Sequence, residues 1–188
     1  MSAEAARTAA MSADEFFTWA ESWGEGERYE LIEGDAVRLQ SERVSHAERK
    51  ANIWLALRQA ILMGGLDCRA FPDGVSVRVS DRTVREPDAL VQCGPYDPNK
   101  TYAPNPIVVV EVISPSSVRT DVDRKLIDYF SVPSILHYLI VYDDRRVIHH
   151  RRDSADGEIT TRLLGAGSTI LLTPPGMELT VESLFADP

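Results

Sequence analysis

The run Ile107-Val108-Val109-Val110-Glu111-Val112-Ile113 constrains this chain more than any other segment. Its length and β-branched make-up read as a strand. Side chains alternate along a strand, so Glu111 shares a face with Ile107, Val109 and Ile113, while Val108, Val110 and Val112 line the other. Both faces are apolar, the mark of a central strand covered on both sides. Glu111 is therefore expected in or beside the core, where an unpaired carboxylate is costly. A divalent ion, a lysine or a set of hydrogen-bond donors must offset that cost. A private arginine would serve equally well, as a purely structural solution.

Asp88 is the natural companion. Glu86–Gln92 reads as a strand just before a loop that holds Pro95, Pro98, Pro104 and Pro106. If this strand neighbours 107–113, both carboxylates converge on one cation, and an oxygen-only site suits magnesium or manganese. Taken alone, Asp88 reads as an exposed acid after a proline. Downstream, Asp121, Lys125 and Tyr129 recur every four residues on a helix predicted over 116–131. Val118, Val122 and Leu126 fall beside that stripe, so Lys125 leans toward the apolar side. It either meets the carboxylate site or pairs with Asp121, its stem on the core and its head in water.

The remaining pattern is α+β, a mixed sheet flanked by a few helices. Ser12 and Glu15 form a capping box that starts a short helix, which the Gly24–Gly26 stretch ends. Tyr29–Ile32 and Ala36–Leu39 read as a hairpin. A second capping box, Ser45 with Glu48, opens the longest helix, which stops at Gly64-Gly65. Further strands are expected at Cys68–Phe71, Val75–Val79, Ile135–Tyr142, Arg145–Arg151, Ile159–Leu164 and Thr169–Leu172, with a last short helix at Val181–Phe185. At 188 residues, with no repeat or linker, 12–188 reads as a single domain behind a flexible segment 1–11.

Composition removes several function classes. The net charge of −9 argues against a broad, non-specific grip on nucleic acid, though not against a small basic groove. His149-His150, beside Arg145, Arg146, Arg151 and Arg152, is the one concentrated basic stretch. Alternation lets at most half of it serve one phosphate-binding surface. No stretch approaches the ~18 apolar residues of a membrane span. The N-terminus lacks a basic start followed by an apolar run, so a cytoplasmic location is expected. Cys68 and Cys93 show no metal spacing, and no disulfide scaffold is expected. A hydrolase built on Ser114 or Ser116 ranks low, because there is no G-x-S-x-G elbow.

Asp88, then Glu111 within Val-Val-Val-Glu-Val-Ile-Ser-Pro-Ser, then Asp121, Lys125 and Tyr129, resemble the Uma family of restriction-endonuclease-like proteins. The resemblance extends to Tyr29-Glu30-Leu31-Ile32-Glu33-Gly34, to Ser45-His46 and to the Leu136–Asp143 strand. It implies the PD-(D/E)XK nuclease fold and metal-dependent hydrolysis of DNA phosphodiester bonds. It further implies that Asp88, Glu111 and the backbone carbonyl of Val112 bind Mg2+ or Mn2+, with Lys125 completing the catalytic set. In that superfamily the lysine sits two residues after the second acid, but here that position is Ile113, and its role passes to Lys125 on the helix. Glu30 is an auxiliary acid by its motif, whereas its place beside Arg28 reads as an outward strand position. Asp121 is a further auxiliary candidate. His46, just ahead of the long helix, either faces the site or caps in solvent. DNA is the expected partner and a homodimer is expected by analogy. The competing reading is a catalytically weak nuclease-fold protein that binds DNA or a protein.

Overall fold

The computed structural model describes residues 10–22, 27–113, 119–153 and 157–186. The expectations for the segment 1–9, for the Gly24–Gly26 stop and for Ser114 and Ser116 lie outside those residues. Helix α1 (Ala13–Ala20) carries the predicted capping box, in which the Glu15 amide donates to Ser12 Oγ at 3.2 Å and Ser12 N donates to Glu15 Oε2 at 2.8 Å. It buries Ala13 and Phe16 against Leu31 and Val84. Strands β1 (Tyr29–Ile32) and β2 (Asp35–Arg38) form the expected hairpin. Glu33 and Gly34, at φ 53° and 92°, make the left-handed turn that matches strand twist.

The longest helix is α2 (Val44–Met63), stopped at Gly64. It has no capping box: Arg43 is the N-cap and offers no side-chain bond. Ser45 and Glu48 already lie inside the first turns, which are held instead by ion pairs from His46 and Lys50 to Glu42. Strand β3 (Cys68–Pro72) follows, then β4 (Val77–Arg78) and β5 (Val84–Arg85). The predicted strand over 86–92 is β6 (Ala89–Cys93). Pro87 has no N–H to give a ladder, and the chain leaves one sheet for the other at Glu86-Pro87-Asp88.

Strand β7 (Pro106–Ile113) leads through α3 (Arg119–Ser131) to β8 (His137–Tyr142). This crossover makes β7 and β8 the parallel pair in a six-stranded mixed sheet. With β9 (Val147–Arg152) and β10 (Ile159–Leu164), the sheet order is β10-β9-β8-β7-β6-β3. A separate four-stranded sheet runs β2-β1-β5-β4. Val108, Val110 and Val112 pack with Ile53, Leu57 and Ile61 of α2 on one face. Val109 packs with Tyr129 and Phe130 of α3 on the other. Ile107 departs from the expected alternation and joins the α2 side, next to a register shift between Val91 and Gln92. The C-terminal hairpin of β11 (Thr169–Leu172) and β12 (Met177–Thr180) closes the α2 face. Strand β12 was not among the expected strands; it alternates, with Met177 and Leu179 buried and Glu178 and Thr180 exposed. The last helix is a single 3-10 turn, Glu182–Leu184. No helix among the described residues is long and apolar enough to cross a membrane.

Two further expectations change. Cys68 and Cys93 are bonded to each other, because β3 and β6 pair them directly across the ladder. Their separation of 25 residues carries no local signal of that pairing. The basic stretch is dispersed rather than assembled. His149 is buried, Arg146 pairs with Asp144 at 2.7 Å, and Arg152 donates to the Phe130 carbonyl.

His149 and His137 form a buried pair on β9 and β8. His137 Nε2 lies 2.8 Å from the Pro174 carbonyl, which can only accept, so that nitrogen carries the proton. His137 Nδ1 is then the acceptor for His149 Nε2–H at 2.9 Å. Burial is the main force that pushes His137 down to about 4 and His149 down to about 3. Unfolded histidines protonate near pH 6.5, so between there and the folded values the unfolded chain binds more protons. The pair's contribution is full above pH 6.5 and is lost as pH falls. We expect His149→Gln, which keeps a donor but cannot titrate, to lose about 1–2 kcal/mol less stability than the wild type between pH 7 and pH 5, measured by urea denaturation.

Candidate functional site

The site forms where the β6–β7 ladder ends. Its last pairs are Leu90 with Val109 and Ala89 with Val110, and one more step sets Asp88 opposite Glu111. Instead of continuing the ladder, Asp88 Oδ2 accepts the Val112 amide at 2.7 Å. The proline that breaks the strand thus leaves a carboxylate where a backbone partner would stand. Glu111 is 4% exposed, on the α3 side of the sheet among Leu90, Val109, Tyr138 and Ile140.

Helix α3 supplies the offset that the burial of Glu111 demands. Lys125 Nζ donates to Glu111 Oε2 at 2.9 Å, and Tyr129 OH donates to Oε1 at 2.5 Å. Their four-residue spacing stacks both donors on one helical stripe. Lys125 therefore meets the carboxylate site, as one of the two sequence readings held. Ile113, in the superfamily's usual lysine position, packs against the α3-side cluster. Asp121 lies in α3, but its side chain is outside the described residues.

Glu30 belongs to the site and does not face outward. Its neighbour Leu31 takes the α1 side of β1, so alternation turns Glu30 inward toward α3. Glu30 Oε2 accepts from Arg85 Nη1 at 2.8 Å, Oε1 accepts the Glu86 amide at 3.1 Å, and Lys125 Nζ stands 4.0 Å away. Arg85 has no exposed surface and also donates to Asp128 Oδ2 through Nε at 2.8 Å. From the opposite side, α2 brings His46 Nε2 to 3.9 Å from Asp88 and Lys50 Nζ to 3.6 Å. His46 thus faces the site, half-buried.

The charges shape one another. Burial pushes Glu111 up to about 7; Lys125 pulls it down, and Asp88 and Glu30 push it further up. Burial alone would raise Asp88 as well, but His46, the Val112 amide, Lys50 and Lys125 hold it below the ordinary aspartate value. Two neighbouring acids whose environments drive them in opposite directions make this cleft a candidate functional site. Asp88 in turn raises His46. Burial and the adjoining Glu111 raise Tyr129 well above the usual phenol value, so it remains a donor.

The donor set fits magnesium or manganese. Both ions take hard oxygen ligands, and a site can consist of one or two carboxylates with the remaining positions left to water and phosphate. Mutual repulsion between Asp88 and Glu111 is what a cation would relieve. Among the described residues no group of three or more His, Cys, Asp or Glu side chains makes a ready-built metal cage. Sequence reasoning missed Arg85 and Lys50. Arg85 sits beside a buried valine in a two-residue strand, too short for alternation to be read. Lys50 follows His46 by four residues, so a shared helix face was the available signal.

A family model named Uma2, described as "Putative restriction endonuclease", matches residues 13–182. The chain is 26% identical over 150 residues to the uncharacterized protein slr1290 of Synechocystis sp., covering 78% of this chain and 77% of that protein. Its fold is similar to the crystal structure of an Anabaena variabilis protein described as a putative nuclease belonging to DUF820. The TM-score is 0.72 at 16% identity, covering 93% of this chain and 97% of that one.

Removing Arg85 strands two buried or half-buried carboxylates. Arg85→Met is expected to destabilise the fold by about 3–5 kcal/mol at neutral pH, measured by urea denaturation. A change below about 1 kcal/mol, the level of a surface pair, would show that Glu30 and Asp128 do not depend on it.

Proposed function

The chain belongs to the Uma2 family, and on that premise we propose that it is a metal-dependent endonuclease that hydrolyses phosphodiester bonds in DNA. One observation carries the reading: Asp88 and Glu111 face each other at the end of a sheet ladder, with the Lys125 amine on the second acid. Asp88, Glu111 and the Val112 carbonyl would hold Mg2+ or Mn2+. When bound, such an ion polarises a phosphate oxygen and lowers the pKa of a coordinated water. Lys125 places a fixed positive charge where a pentavalent phosphate would gather negative charge. Tyr129 orients Glu111, and the Val112 amide orients Asp88. Arg85 Nη1 and the Glu86 amide fix the orientation of the Glu30 carboxylate beside Lys125. Two copies acting together would cut both strands of a duplex.

A second reading also has support. Both oxygens of Glu111 are already engaged, by Lys125 and Tyr129, and the lysine of the usual motif is replaced by Ile113. A chain in which these bonds persist would be a nuclease-fold module that binds DNA without cutting it.

Cleavage of supercoiled plasmid with Mn2+ or Mg2+ separates the two. Wild type is expected to nick and linearise the plasmid, and Asp88→Ala and Glu111→Ala each to lower the rate by at least roughly a hundredfold. Lys125→Met is expected to lower the rate while leaving calorimetric Mn2+ binding in place. Plasmid retained on filters but uncut by the wild type would establish the binding module. Equal cleavage by wild type and Glu111→Ala would remove Glu111 from the mechanism.

A further inference from the structure

Strand β10 (Ile159–Leu164) ends one side of the six-stranded sheet and pairs along one edge, with β9. The register there runs from Ile159 opposite Arg152 to Leu164 opposite Val147. Just beyond that ladder the Asp153 amide donates to the Glu158 carbonyl at 2.8 Å. Antiparallel bonding alternates along a strand, so Glu158, Thr160, Arg162 and Leu164 turn their backbone groups toward β9. Ile159, Thr161 and Leu163 therefore turn their N–H and C=O groups away from the sheet. Among the described residues no backbone group of the chain bonds to them.

Open edges are ordinarily blunted by proline, lysine, a bulge or a covering side chain. The opposite edge of the same sheet is treated in that way: β3 ends in Pro72, and the Trp54 indole donates to the Ala70 carbonyl at 3.0 Å. Strand β10 has none of these devices. Its register with β9 is unbroken, and Ile159 and Leu163 are 41% and 65% exposed. Leu163 lies opposite Ile148, which packs on the apolar cluster under α3. The residue order is also self-complementary. A second copy set antiparallel about Thr161 brings Ile159 opposite Leu163 and Thr161 opposite its own counterpart, so each outward N–H meets an outward C=O. The same register sets Glu158 one diagonal step from Arg162 of the second copy, on one face of the joined sheet. Within a single chain those two residues are about 13 Å apart along the strand, too far to pair.

We propose that β10 is a docking edge for a second copy of this chain, joining the two six-stranded sheets into one across a two-fold axis at Thr161. Backbone bonds supply the pairing, Ile159 and Leu163 an apolar seam, and Glu158 with Arg162 the register. Strands β8 and β9 separate this edge from Asp88 and Glu111, so the site stays open in each copy. The inference does not rest on the metal reading. It gives a physical contact to the two copies that cutting both strands of a duplex calls for. A contact confined to one strand edge is small, so the dimer depends on concentration.

Sedimentation velocity of the full chain over a range of concentrations tests this. The wild type is expected to pass from monomer to dimer as its concentration rises into the high micromolar range. Leu163→Lys puts a charge in the seam and is expected to stay monomeric while keeping the wild-type circular dichroism; Ile159→Lys serves in its place should that variant not fold. Arg162→Glu is expected to raise the dissociation constant about tenfold, because the axis repeats the like-charge contact. Exchanging the charges, Glu158→Arg with Arg162→Glu, is expected to restore it, a rescue that cannot arise within one chain. A wild type that stays monomeric overturns the proposal, as does a dimer that a folded Leu163→Lys or Ile159→Lys leaves intact. An Arg162→Glu with the wild-type constant, or an exchange that fails to restore it, overturns the pairing about Thr161. None of these readings requires cleavage or metal, so failure of the nuclease reading would leave them unchanged.

Discussion

Keeping Glu111 inside a valine-lined sheet is the constraint around which the α3 half of the molecule is arranged. The strand cannot turn the carboxylate outward, because both faces of β7 are covered. Leaving it unpaired would cost about 3–5 kcal/mol, a large share of the roughly 5–15 kcal/mol that keeps a domain folded. The solution is a helix that supplies an amine and a phenol one turn apart. Because α3 must present that stripe to the sheet, the β7–α3–β8 crossover is fixed in rotation as well as in position. Arg85 repeats the device on the neighbouring sheet, where Glu30 and Asp128 grip it from β1 and α3. Helix α3 is therefore docked by two buried ionic contacts in addition to its apolar residues. Such contacts specify an orientation more than they add stability.

The second determinant is backbone chemistry at Glu86-Pro87-Asp88. In this span the chain leaves the four-stranded sheet for the six-stranded one. Asp88 owes its place beside Glu111 to this transfer. Glu86 remains with Arg28, accepting also the Gly74 amide at 3.0 Å. Asp88 swings to the Val112 amide. A strand continuing through this point would have paired these backbone groups with one another and left no opening at the ladder's end.

Much of this was legible in the residue order, and the omissions share a cause. Asp88 was expected beside Glu111 only if the two strands were neighbours, whereas the buried acid on β7 and the lysine stripe on α3 are signalled by periodicity, which is local. The hairpins, the long helix and the central strand follow for the same reason. Arg85, Lys50 and the Cys68–Cys93 bond are products of which strands become neighbours, and periodicity does not encode that. Glu30 shows the boundary well. Its alternation with Leu31 was visible, but which face of β1 would be inward depended on α1 covering the Leu31 side. The absent capping box on α2 makes the same point from the other direction: a correct local motif lost to ion pairs made through Glu42.

The charge balance of the site bears on how an acidic chain can approach a polyanion at all. Around Glu111, four carboxylates (Glu30, Asp88, Glu111 and Asp128) meet three permanent cations, Lys125, Arg85 and Lys50. Burial answers part of that excess by raising Glu111 to about 7, which at neutral pH leaves the group only partly ionised. One divalent ion would answer the rest. It would favour the ionised form of Glu111 and offset the remaining negative charge, lowering the repulsion that a phosphate would otherwise meet. In a protein of net charge −9 an attraction for DNA, as proposed, would not come from the overall field. Under the proposed function it would be generated locally, where a bound ion and the Lys125 amine would act together in a place sheltered from solvent screening. On that view metal binding is a condition for substrate binding as well as for hydrolysis, and the two should share one dependence on ion concentration.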